Sequence, residues 1–146
     1  MKKTIINTAL LIGMILTILV SWLINLWWMG ACDTPANLGI FVLSIFFLIA
    51  SVVYFIIADL KWSIPIIIFW ILILIYGALC LLYDVADIDL GEFSMLFSVF
   101  INPPLAGISY LTGMVDITFE IAYIIISLGV LSIPVIRFRK ARKSNV

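Results

Sequence analysis

Residues 93–115 read FSMLFSVFINPPLAGISYLTGMV. The stretch is apolar, and it exceeds the roughly 20 residues that a helix needs to cross a bilayer. Whether it does cross decides between four and five spans. Asn102-Pro103-Pro104 stands in its middle. A proline has no N–H and clashes with the turn before it, so one helix does not run through this point. The half before the break, Phe93 to Ile101, is too short to span. Phe93, Leu96, Phe97 and Phe100 recur at helical spacing, with Ser94 and Ser98 off the stripe, a pattern suited to an interfacial helix. The sequence therefore predicts an outer loop over 84–116, of which 93–115 is interfacial or re-entrant with a turn at the prolines.

Working outward, four other stretches reach spanning length: about 4–29, 39–58, 64–83 and 117–136. None holds a Lys or Arg. Backbone polar groups in lipid must be satisfied within the segment, so these stretches are helices. The first, at 1.5 Å per residue, is roughly 39 Å long and exceeds a hydrocarbon core of about 30 Å. Trp27 and Trp28 close it and Trp62 opens the third, as interfacial aromatics do. Pro65 falls in the first turn of the third stretch, where a missing N–H is harmless. Of the 146 residues, 66% are hydrophobic and 11% charged. A soluble domain of this size has too little interior for so much apolar surface.

Charge orients the spans. With four crossings, Lys2, Lys3, Lys61, Arg137, Arg139, Lys140, Arg142 and Lys143 all fall on one side, which the positive-inside rule makes cytoplasmic. Asp33, Asp84, Asp87, Asp89, Glu92, Asp116 and Glu120 go to the other side, and only Asp59 stays with the cations. A fifth crossing would export the basic tail. The predicted fold class is thus an all-α integral membrane protein: one four-helix domain, both termini inside, with a basic tail over 137–146. Lys2-Lys3, an apolar run and Met29-Gly30-Ala31-Cys32 resemble a lipoprotein signal, but the run is about twice the 7–15 residues of a signal-peptide core, and it is read as a span.

Small or polar residues punctuate the spans. Ala9, Gly13, Thr17, Ser21 and Asn25 stand every fourth position in the first. Such a row drifts about 40° per step along the i±4 ridge and admits a close, right-handed helix crossing. Asn37, Ser44, Ser51 and Ala58 recur every seventh residue, as do Ala122 and Gly129, and Glu120, Ser127 and Pro134, a period suited to left-handed seams. These rows are read as helix packing. A conduction pathway generally needs an ionisable group deep in the membrane, and the first three spans have none.

The candidate chemistry is sparse. With no histidine, the usual general base and the commonest metal ligand are missing. Asp84, Asp87, Asp89 and Glu92 form an acidic cluster for a hard cation or a cationic partner. The Asp87-x-Asp89-x-Gly91 pattern lacks the later Glu of an EF-hand, and the cluster is read as a solvated loop. Asp116 and Glu120 lie one turn apart at a membrane mouth, where paired carboxylates could share a proton. Gly113-Met114-Val115-Asp116-Ile117 is similar to a segment of lipoprotein signal peptidases, but the other catalytic positions of that family have no counterpart here. Cys32 and Cys80 are candidates for a disulfide at the outer side. The basic tail would attract anionic lipid.

Together these features predict a non-enzymatic protein of the cell membrane, with no metal or cofactor, of an accessory, immunity or sensing type. Its partners would be membrane lipid and either itself or another membrane protein, not nucleic acid. The alternatives are a homo-oligomeric channel or transporter, and an enzyme using the outer carboxylates.

Overall fold

The structure is a computed structural model; it describes residues 2–31, 38–86, 103–108 and 116–144. Four long helices carry the fold: α1 (Lys2–Ala31), α2 (Leu38–Ile57), α3 (Leu60–Ala86) and α4 (Asp116–Ser144). A 3-10 turn, Pro103–Ile108, precedes α4. All four helices hold a segment long and apolar enough to cross a membrane. The prolines open the 3-10 turn, so no unbroken helix runs through 93–115; the remainder of that stretch lies outside the described residues.

Two helix ends differ from what apolarity alone suggests. Helix α3 starts at Leu60 because Asp59 begins it: the Asp59 carbonyl accepts hydrogen bonds from the N–H groups of Trp62 (2.9 Å) and Ser63 (3.2 Å). Pro65 consequently sits in the second turn, where it removes one hydrogen bond to the Lys61 carbonyl. Helix α4 continues through the basic stretch to Ser144, with Arg142 and Lys143 in its last turn. Cations there complement the partial negative charge of a helix C-terminus.

The helices alternate in direction, which brings the start of α1, the α2–α3 connection and the last turns of α4 to one end, called here the Asp59 end. Helix α3 packs most extensively on α4, and α1 on α2; the 3-10 turn lies on α2 and α1. Inward stripes follow from spacing of three and four residues. Phe47, Ser51, Tyr54 and Phe55 from α2, and Ala58 just after it, are buried, as are Ser63, Ile66, Trp70, Ile73 and Tyr76 from α3. Helix α4 contributes Glu120, Tyr123, Ser127, Val130 and Pro134. At mid-height Phe47 stacks on Trp70, with centroids 5.5 Å apart and planes 16° from parallel. The outward faces carry large apolar residues instead, such as Ile12, Phe46, Ile68 and Ile125.

Candidate functional site: an open groove beside a polar latch

The four-residue row on α1 divides by depth. Ser21 is fully buried and Thr17 half-buried, while Ala9 and Gly13 are exposed. A Cβ built on Gly13 would meet nothing within 4 Å. The Thr17 hydroxyl donates to the Gly13 carbonyl of its own helix at 2.9 Å, which leaves an apolar surface. These residues line a groove of about 490 Å³ between α1 and α2, walled by Ile6, Ala9, Gly13, Thr17, Val53 and Tyr54. Asn25 lies on α1, with its side chain outside the described set.

The remaining packing candidates take different positions. The buried Ser44 hydroxyl accepts the Gly107 N–H at 3.0 Å, tying the 3-10 turn to α2. The buried Ser51 hydroxyl donates to the Phe47 carbonyl at 3.0 Å. Ala122 is half-buried, and Gly129 is exposed with open space at its Cβ position. The glycines that do meet a close neighbour are others. At Gly77 a Cβ would lie 3.2 Å from the Tyr123 Cβ, across the α3–α4 seam. At Gly107 it would lie 2.3 Å from the Ile40 carbonyl oxygen. Gly77 belongs to no small-residue row, and the only signal for it was the lone glycine in an otherwise bulky span.

The groove ends at a polar latch that sequence reading missed. The Asn7 amide donates to the Asp59 carboxylate at 2.8 Å, and the Asp59 N–H donates to the Asn7 carbonyl oxygen at 3.1 Å. Lys3 pairs with the same carboxylate at 3.1 Å. From α4, the Arg137 guanidinium donates to the carbonyls of Phe55 and of Ala58, the latter at 2.8 Å. Phe55 is in the last turn of α2 and Ala58 follows it, where a helix leaves acceptors without internal donors. The Tyr54 hydroxyl donates to the Trp62 carbonyl at 2.5 Å across the α2–α3 connection. The Asn7 hydrogen bond, then Lys3, hold the Asp59 carboxyl below its ordinary pKa, with the Arg137 charge adding to the effect. One clue was available: Asp59 is the one acid on the basic side, and Lys3 and Asn7 share a helix face four residues apart.

Most of the acidic candidate side chains lie outside the described set. Asp84 is exposed near the end of α3; Asp87, Asp89 and Glu92 lie outside the described residues. Among the described residues, no group of three His, Cys, Asp or Glu side chains could hold a metal ion. Asp116 starts α4, and its side chain is outside the described set. Glu120 is buried, only 8% exposed, on the α4 face toward α3. Cys80 is a half-buried free thiol that shares a hydrogen bond with the Tyr76 hydroxyl, and Cys32 lies outside the described residues. Ser21 Oγ, Trp70 Nε1 and Ser127 Oγ are buried without a hydrogen-bond partner among the described residues.

The fold thus defines an all-helical chain with four helices fit to cross a membrane. No protein family, curated protein or solved structure matches it.

Proposed function

We propose that the chain is a small multi-pass membrane protein that works without catalysis, by docking a transmembrane helix of another membrane protein in the α1–α2 groove. The observation that carries this reading is Gly13. A glycine inside a helix costs about 1 kcal/mol relative to alanine, and here no described residue occupies the space it leaves. With Ala9 and Thr17 it forms a small-xxx-small ridge of the kind that lets helix backbones approach. The groove is concave, so a two-fold pairing of copies would set hollow against hollow, whereas the convex ridge of a different helix fills it. Such a role suits an accessory, immunity or sensing protein.

The orientation proposed is that of the charges. Lys3, Lys61 and the basic end of α4 gather at the Asp59 end. The positive-inside rule then gives cytoplasmic termini in the cell membrane. The test is purification in mild detergent followed by native mass spectrometry. A co-purifying membrane protein that is lost on Gly13→Leu supports the reading; a chain that runs alone, or only as copies of itself, defeats it.

A second reading, transport by an assembly of copies, draws on Glu120, a buried carboxyl within an apolar helix, since such groups mark ion and proton paths. It predicts flux in proteoliposomes that falls on Glu120→Gln.

A further inference from the structure

The five cations of the C-terminal stretch do not act as one tail. They stand on a helix, which continues to Ser144. At 100° per residue, Ile136, Arg139, Lys140 and Lys143 share one sector of about 100°, flanked by Arg142. Arg137 and Ala141 face the other way and are half-buried against the bundle, and the Arg137 guanidinium is engaged by α2 carbonyls. The other four cations are exposed and line, with Ile136, an open hollow of about 630 Å³. Among the described residues the one ion pair is Lys3–Asp59, so the described acid at this end is already committed elsewhere.

We infer that this hollow binds the phosphate of an anionic phospholipid. Two arginines and two lysines offer forked and point-charge donors suited to phosphate oxygens. Ile136 lines the hollow, and Val135, Ile136 and Phe138 are exposed on the turn before the cations. An apolar surface therefore runs directly into the charged one. That is the boundary a lipid presents between acyl chain and headgroup, and a free phosphate ion would make no use of it. The inference rests on the membrane placement proposed above and is independent of the partner groove.

The test uses the full chain in neutral detergent, titrated with phosphatidylglycerol, phosphatidylcholine or inorganic phosphate. Thermal unfolding and lipid retention by native mass spectrometry are the readouts. Phosphatidylglycerol should raise the unfolding temperature and be retained in preference to phosphatidylcholine. Its half-saturating concentration should rise about fivefold for each of Arg139, Lys140, Arg142 and Lys143 replaced by Gln. Arg137→Gln should lower the unfolding temperature without lipid yet keep the preference for phosphatidylglycerol. Equal stabilisation by phosphatidylcholine, or an unchanged preference in the quadruple Gln variant, overturns the inference. So does an equal effect of inorganic phosphate, which would assign the hollow to a free anion. A chain that fails even to float with phosphatidylcholine vesicles would instead defeat the membrane placement.

Discussion

Gly77 and Gly13 are both mid-helix glycines in apolar spans, yet they do opposite things. At Gly77 the α3–α4 seam is closed: Tyr123 and Ile124 stand 3.2 and 3.4 Å from where a Cβ would be. At Gly13 the α1–α2 face is open. A glycine's entropic cost is offset in the first case by close packing within the chain. In the second no described residue supplies an offset. Helix α1 is held at its polar end by Asn7 and Lys3 on Asp59, and higher up by the buried Met14 and Ser21 and by the 3-10 turn. On the function proposed above, a smallness that goes unused among the described residues serves a docked helix.

The comparison can be graded by clearance. Gly107 is the extreme of the closed kind, since a Cβ there would overlap the backbone of Ile40 and Phe41, which cannot swing aside as a side chain can. Gly107→Ala should therefore have the largest effect, about 3 kcal/mol. It should appear as faster amide exchange across 103–108 and loss of the hydrogen bond to Ser44. Gly77→Val comes next. Its Cβ falls at a tight but side-chain-walled position, and α3 and α4 must part slightly to admit the branch. A loss of about 2 kcal/mol is expected by reversible unfolding in mixed detergent. If Gly77→Val were neutral, the seam would be looser than its geometry implies and the contrast with Gly13 would weaken.

How much of this contrast is readable from sequence depends on what sets each feature. Four long apolar helices are legible because the length and apolarity of each stretch are local properties of the sequence. The proline break is legible too, because it is a local property of the backbone. At seven-residue spacing, Ser44 and Ser51 are buried, as are Glu120 and Ser127, while Ala122 is half-buried and Gly129 exposed. The four-residue row on α1 is different. A drifting row belongs to no single face, and only the placement of the neighbouring elements decides that Ser21 goes inside while Ala9 and Gly13 stay out. Gly77 and Gly107 were illegible for the same reason: their demand for smallness comes from Tyr123 and Ile40, far away in sequence. The latch was half legible. Its charges could be seen, but the reach of Arg137 to the end of α2 is a tertiary fact.

Acid should loosen the fastened end of α1 and leave the closed seam alone. The Asp59 carboxyl has a folded pKa below its ordinary value of about 3.9. Its contribution is therefore complete above that ordinary value and is lost as pH falls through the lowered one. Amide exchange in the first turns of α1, corrected for the intrinsic pH dependence, should stay flat from neutral pH to about pH 5. Below that it should rise, while exchange in α3 around Gly77 stays flat. Asp59→Asn should remove the acid-dependent rise. If both regions loosened together, α1 would be held by the bundle as a whole and not by its polar end.

The smallest effect carries the sharpest sign. Gly13→Ala adds a methyl group where no atom stands within 4 Å and removes a helix-interior glycine, so the isolated chain should gain about 0.5–1 kcal/mol. The same methyl narrows the groove that a docked helix would enter, so the partner should be retained less well than by the parent chain. Gly129→Ala, equally open on α4 but outside the α1–α2 groove, should give the first result without the second. A pair of variants that both stabilise the chain, of which only one releases the partner, separates a docking face from a glycine that merely costs stability. Were Gly13→Ala to destabilise the isolated chain, the α1 face would already be occupied from within, and the difference between the two glycines would vanish.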